Sequence, residues 1–222
     1  LRSEQDSTVT KPTILFLHAT GFHARCWDKV IDLLPDRITS RFNVVAVDAP
    51  GHGRSSVPTQ AHWSSFATDI ADLVQTFGSA KIIAVGHSMG GYLTTRLAAF
   101  DPDRYPGILL VDPTLFHPAL YQSEEPSDRF SFVGRRRRTW PSNEAFYERL
   151  RTREPYNTWA PEVLMDYCKY GLKPITPTAA STATTTETAA APAATADTLE
   201  LCCRPDFESA CYSHGTLRSQ CM

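Results

Sequence analysis

Gly86-His87-Ser88-Met89-Gly90 is the stretch of the chain whose residue types and spacing point to covalent chemistry. A serine hydroxyl is a weak nucleophile. It becomes useful where the backbone holds it out at the tip of a sharp strand-to-helix turn. Small residues are needed two places before and two places after, because a larger side chain there collides with the turn itself. By chance, a G-x-S-x-G match turns up in about one chain in ten of this length, so its setting decides its meaning. Here the apolar run Ala80–Val85 precedes it, and the helical pattern Met89–Phe100, closed by Asp101-Pro102, follows it. Ser88 is the candidate nucleophile.

The elements that must position this serine can be read from hydrophobic periodicity. Thr13–His18, Phe42–Asp48, Lys81–Gly86 and Gly107–Asp112 are short, almost continuously apolar and rich in Val, Ile or Leu. Strands buried on both faces have that character. Between them, Ala24–Leu34 puts Trp27, Val30, Ile31 and Leu34 on one helical face. Trp63–Phe77 does the same with Phe66, Ile70, Leu73, Val74 and Phe77. Strands alternating with helices predict an α/β fold, a doubly wound and mainly parallel sheet with about four central strands. After Pro113 the rhythm changes and no further buried strand is expected. Asn143–Arg153, Pro161–Tyr170 and Pro205–Tyr212 read as helices, the last running into a polar tail. Residues 174–198 hold nine Thr and nine Ala with almost no large side chains, too little apolar surface to order themselves, and read as a flexible insertion.

Two further turns carry glycine at the ends of strands. Leu15-Phe16-Leu17-His18-Ala19-Thr20-Gly21-Phe22 closes the first strand, and Asp48-Ala49-Pro50-Gly51-His52-Gly53-Arg54-Ser55 closes the second. Open α/β sheets build their sites at such C-terminal strand ends. With His-x-x-Gly-Phe, Asp-x-x-Gly-His-Gly-x-Ser and Gly-His-Ser-Met-Gly-Gly in this order, the sequence resembles the α/β-hydrolase superfamily, in its serine-nucleophile, capped, esterase- and lipase-like branch. The resemblance covers roughly residues 13–112. It implies a hydrolase core over residues 1–112 and a helical cap region over 113–222.

The resemblance also implies acyl transfer to water through a covalent ester on Ser88, without a cofactor. The oxyanion would be held by the backbone N–H groups of Met89 and Thr20. Gly21 and Phe22 are alternatives to Thr20, because Ala19 stands where the family usually has a glycine after the histidine. Preorganised donors of this kind contribute about 3–4 kcal/mol each in the transition state. A serine at this turn excludes the aspartate-nucleophile branches, the haloalkane dehalogenases and most epoxide hydrolases.

A serine nucleophile needs an acid and a histidine, in the chain order Ser, Asp or Glu, His. In the family these follow two later strands, and neither strand is recognisable before Met222. Asp112 ends the fourth strand, where a minority of the family place the acid. Before Pro113 it also reads as an ordinary turn aspartate. His214 completes the order Ser88, Asp112, His214 but falls in the polar tail, and His117 is a weaker candidate. His18 and His52 are expected to bond backbone in their loops, His87 to pack beside the serine, and His23 and His62 to open helices.

Composition narrows the partners. Twenty-two Lys and Arg balance 24 Asp and Glu, for a formal charge of -2, which argues against a nucleic-acid partner. The run Arg135–Arg138 reads as a solvated helical face, with an acidic substrate group as the sharper alternative. The aromatics from Phe130 to Tyr167 read as the core of the helical region, some of them lining an apolar acyl pocket. Histidine and cysteine spacings match no metal site, and the six cysteines read as free thiols. No run approaches the roughly 20 apolar residues that span a membrane. Residues 1–12 show no basic start before an apolar segment, so a cytoplasmic location is expected.

Two functions follow as expectations. The first is a serine hydrolase of esters or related small acyl compounds, with lactone, thioester and carbon–carbon cleavage still open. The second is a truncated or degenerate hydrolase without a complete triad, at most a binding module. Nothing in the sequence fixes an oligomeric state.

Overall fold

A computed structural model describes residues 11–78, 80–115, 128–175 and 198–215. Four parallel strands form the main sheet: β1 (Thr13–Leu17), β2 (Asn43–Val47), β3 (Ile82–His87) and β4 (Gly107–Val111), in the order β2-β1-β3-β4. Leu17 at the end of β1 sits opposite Val47 and Gly86, so the glycine-rich turns after β1 and β2 emerge beside the Ser88 turn.

The two faces of the sheet are covered separately, as alternation along a strand demands. Leu15 and Leu17 point to one side, under α3 (Trp63–Gln75) and α4 (Met89–Phe100). Trp63, Phe66, Ile70, Leu93 and Leu97 fill that layer, and burying a ring such as Phe66 contributes about 1.5–3 kcal/mol. Ile14 and Phe16 point the other way, against Trp27, Ile31, Leu34 and Ile38. Trp27, Ile31 and Ile38 come from a 3-10 turn (Ala24–Trp27), α1 (Asp28–Asp32) and the short α2 (Asp36–Thr39), and Leu34 from the bend between the two helices. The expected single helix over Ala24–Leu34 is thus divided, and Val30 on its supposed inner face is exposed.

Burial on both faces holds for β1 and largely for β3, not for β2 and β4. The latter are the edges, with no outer strand among the described residues, and Ile108, Leu109 and Val111 of β4 are exposed.

Beyond residue 128 lie a 3-10 segment (Asp128–Arg135), α5 (Asn143–Leu150), α6 (Pro161–Tyr170) and α7 (Pro205–Gly215). Ser142 caps α5 by accepting the Ala145 N–H at 3.2 Å, and Pro161 opens α6. Contrary to expectation, three strands accompany them. β5 (Thr139–Trp140), β6 (Leu172–Pro174) and β7 (Leu199–Leu201) form an antiparallel sheet, β5-β7-β6. Two or three residues are too few to show alternation, and β7 pairs between two strands remote from it in sequence. Trp140, Phe146, Leu164, Tyr167, Leu172 and Leu201 make a hydrophobic cluster of their own there.

Most of the low-complexity stretch expected over 174–198 lies outside the described residues. Cys26, Cys168, Cys202, Cys203 and Cys211 are free, and burial pushes each thiol's pKa up. Among the described residues no helix is long and apolar enough to cross a membrane.

Candidate active site

The Ser88 turn is built from backbone contacts that exclude side chains. Ser88 itself has φ 54 and ψ -113, a conformation a non-glycine residue adopts only where its surroundings hold it. A Cβ on Gly86 would lie 2.2 Å from the Gly90 carbonyl oxygen, and one on Gly90 would lie 2.1 Å from that of Leu17. Four hydrogen bonds fix the serine's main chain. Its N–H donates to the Val111 carbonyl at 3.1 Å, and its carbonyl accepts from Gly91, Tyr92 and Thr114 at 3.0, 3.2 and 3.1 Å.

The half-buried Ser88 hydroxyl lies 3.1 Å from the Thr114 hydroxyl. Thr114 went unnoticed in the sequence because it lies in an irregular segment with no motif. Met89 begins α4, so its N–H has no carbonyl one turn back within the helix. Thr20 is buried in the loop after β1, and its hydroxyl oxygen has no hydrogen-bond partner among the described residues.

The partners named from sequence are placed less favourably. Asp112 is exposed with φ 42, and its carboxylate makes no hydrogen bond to Ser88. It acts instead on His87, whose pKa burial pushes down and Asp112 draws partly back. His87 packs edge-on against Phe22, with ring centroids 5.9 Å apart. His214 falls in the last turn of α7, which runs on to Gly215 instead of giving way to a tail at Tyr212. Its side chain, like the whole of His117, lies outside the described residues. Among the described residues no imidazole or carboxylate hydrogen-bonds to the Ser88 hydroxyl.

The other histidines are structural. His18 Nε2 accepts the Ala49 N–H at 2.9 Å, so Nδ1 carries the proton and donates to the Ala19 carbonyl at 2.8 Å. Burial holds its pKa well below the usual range. His52 Nδ1 faces the Pro50 carbonyl at 2.9 Å, Nε2 is buried without a partner among the described residues, and burial lowers its pKa to about 4. Asp48 ties two loops together, accepting the Ala24 N–H at 2.7 Å and the Arg54 N–H at 3.0 Å.

Helix α7 covers both glycine turns, which sequence reasoning did not foresee. A Cβ on Gly51 would strike the Phe207 ring at 2.0 Å, and one on Gly21 would strike the Glu208 carboxylate at 2.3 Å. Glu208 is 5% exposed and pairs with Arg136, whose Nη1 lies 2.9 and 2.7 Å from its two oxygens. Burial raises the Glu208 pKa against the pull of Arg136. It also works against the Arg136 charge, but Tyr167 and Glu208 hold that guanidinium protonated. Arg136 is therefore an internal ion-pair partner and not part of a solvated face. Arg137 stacks over Trp140, 4.4 Å from the ring centroid. Among the described residues no group of three His, Cys, Asp or Glu is placed to hold a metal ion.

A parallel sheet with a serine at a strained strand-to-helix turn, flanked by two glycine turns at strand ends, defines the hydrolase class of open α/β sheets. A sequence profile of the alpha/beta hydrolase family matches residues 14–211, and the chain belongs to that family. It is 34% identical over 104 residues to lipase LipV of Mycobacterium tuberculosis, a match covering 46% of this chain and 37% of that protein. It is also 34% identical over 104 residues to 2-(acetamidomethylene)succinate hydrolase of Mesorhizobium japonicum, covering 46% and 36%. The match thus takes in little more than a third of the length of either relative. The crystal structure of E-2-(acetamidomethylene)succinate hydrolase superposes with a TM-score of 0.66 at 21% identity, covering 91% of this chain and 65% of that one, and shares the fold.

Proposed function

We propose that the chain carries the catalytic core of a serine hydrolase acting on small esters or related acyl compounds. The observation that carries this is the strained Ser88 conformation between glycines whose every substituent would collide with backbone. Strain of this kind is kept at sites where it serves a purpose. Ser88 Oγ attacks the acyl carbon, and the C=O electron pair moves onto oxygen, facing the Met89 and Thr20 N–H groups. The pair then returns, the bond to the alcohol breaks, and the proton lost by Ser88 leaves with that alcohol. Water repeats the sequence on the acyl-Ser88 ester and regenerates the hydroxyl. The proton carriers proposed are His214 as base and Asp112 as its acid, in the family's chain order. Residues 113–222 are proposed to act as the cap that selects the substrate.

A fluorophosphonate probe is expected to label the protein on Ser88, and Ser88→Ala to abolish labelling. Labelling that survives the substitution overturns the assignment. A second function, a binding module on a hydrolase scaffold, is favoured by the absence of any described imidazole at the Ser88 hydroxyl. Under it, His214→Ala leaves labelling and ester turnover at the level of the unaltered chain.

A further inference from the structure

A cavity of about 970 Å3 opens between the loop after β1, the Asp128–Arg135 segment, α5 and α7, with Thr20 and Phe22 among its walls. Its volume lies at the upper end of the roughly 300–1,000 Å3 usual for small-molecule sites. Five arginines line it against two glutamates, a surplus of three positive charges in a chain whose overall charge is -2. The five are not equivalent. Arg136 is spent on Glu208, and Arg137 is held by the Thr139 carbonyl at 2.7 Å and by Trp140. Arg135, Arg149 and Arg153 are exposed on the same cavity, and no described carboxylate forms a salt bridge with any of them.

Three exposed guanidiniums around one concavity, against the single further carboxylate of Glu154, repel each other on balance, and an anion shared between them relieves that repulsion. Their planar forks match carboxylate and phosphate oxygens in pairs. The apolar part of such a ligand has Phe132, Trp140 and Tyr156 to lie against. Arg151 supplies an internal contrast: it lies between Arg149 and Arg153 in sequence, is closed onto Glu148 at 2.6 Å and does not line the cavity.

We infer that this cavity binds the anionic end of the acyl substrate, a carboxylate or phosphate held by Arg135, Arg149 and Arg153, with the scissile bond toward Thr20. The assignment of the cavity to the acyl group rests on the Ser88 hydrolase function proposed above. The substrate class is then an ester or related compound whose acyl part carries a negative charge several bonds from the reacting carbonyl.

Calorimetric titration of the full chain carrying Ser88→Ala tests the site without any need for turnover. Adipate or inorganic phosphate is expected to bind, and dimethyl adipate, its neutral counterpart, is not. Whichever anion binds more tightly identifies the group. Arg149→Gln with Arg153→Gln should weaken binding at least about tenfold. Arg151→Gln should leave it unchanged. Equal binding of dimethyl adipate, equal loss from Arg151→Gln, or no binding of either anion overturns the inference. On the unsubstituted chain, the anion should protect Ser88 from the fluorophosphonate probe. Arginine-dependent binding with no probe labelling at all keeps the anion site and removes the Ser88 function. Labelling that the bound anion does not slow removes the cavity's role in holding the acyl group.

Discussion

The two ends of the site proposed above, the Ser88 turn and the arginine-lined cavity, are built in opposite ways. Around Ser88 the contacts are main chain against main chain. Gly86 and Gly90 leave no room for a methyl group, and the serine's own amide and carbonyl are stitched to the ends of β4 and α4. Around the cavity the contacts are side chain against side chain: an ion pair between residues 72 apart, one guanidinium on an aromatic face, and exposed arginines with no described carboxylate partner. Backbone packing allows a single geometry, which suits a reacting atom. Side-chain walls can be re-lined without moving the backbone, which suits the choice of substrate.

The largest effect is expected where the backbone end is forced. Gly90→Ala puts a methyl group 2.1 Å from the Leu17 carbonyl oxygen, and neither β1 nor α4 can yield without dislodging the sheet. A loss of more than about 4 kcal/mol, enough to unfold a marginal domain, should appear in urea denaturation. A loss below about 1 kcal/mol would show that this end is not rigid. At the cavity end, Arg136→Met leaves Glu208 buried without its partner and should cost about 3–5 kcal/mol. Adding Glu208→Leu should recover most of it, because two apolar groups replace a pair that had to be desolvated. Additive losses in the double variant would deny that the two residues act as a pair.

Legibility in the sequence follows the same division. Gly86, Gly90 and the apolar runs before and after them are local signals, because the residues that collide or pack are a few positions apart. The four parallel strands, α3, α4, α6 and the structural duties of His18 and His52 are accordingly readable. The pairing of β7 between β5 and β6 is not, since it depends on segments remote in sequence with strands too short to alternate. Arg136 reads as a surface residue within a run of four arginines until Glu208 is seen beside it. Thr114 belongs to no pattern, and only the direction of the chain after β4 brings its hydroxyl to Ser88. The exposed apolar residues of β4 mislead in the other direction, since a buried strand and an uncovered edge strand have the same composition.

A pH change probes the backbone end through His52, a buried residue of the second glycine turn itself. Its pKa is depressed from 6.5 to about 4 by burial, so the folded chain holds it neutral while the unfolded chain protonates it at higher pH. The stability that His52 supplies is complete above about pH 6.5 and is lost as pH falls from there through 4. The shift corresponds to about 3 kcal/mol. His52→Gln should flatten that part of the stability profile, measured by urea denaturation at pH 7 and pH 4. An unchanged acid slope would assign the loss to other groups, His18 first, since burial lowers its pKa as well.

The smallest effect is expected at Thr114, where a side chain meets the backbone-built end. Its N–H donates to the Ser88 carbonyl and its hydroxyl touches the Ser88 hydroxyl, so it fixes both the turn and the rotamer of Ser88. Thr114→Val keeps the first contact and removes the second. One neutral hydrogen bond contributes about 0.5–1.5 kcal/mol, so the rate of fluorophosphonate labelling should fall by about 2- to 12-fold. Thr114→Ser, which restores the hydroxyl, should recover the original rate, whereas a purely steric role would leave it impaired. Faster labelling in Thr114→Val would reverse the assignment, making Thr114 a restraint on the Ser88 hydroxyl and not the group that aims it.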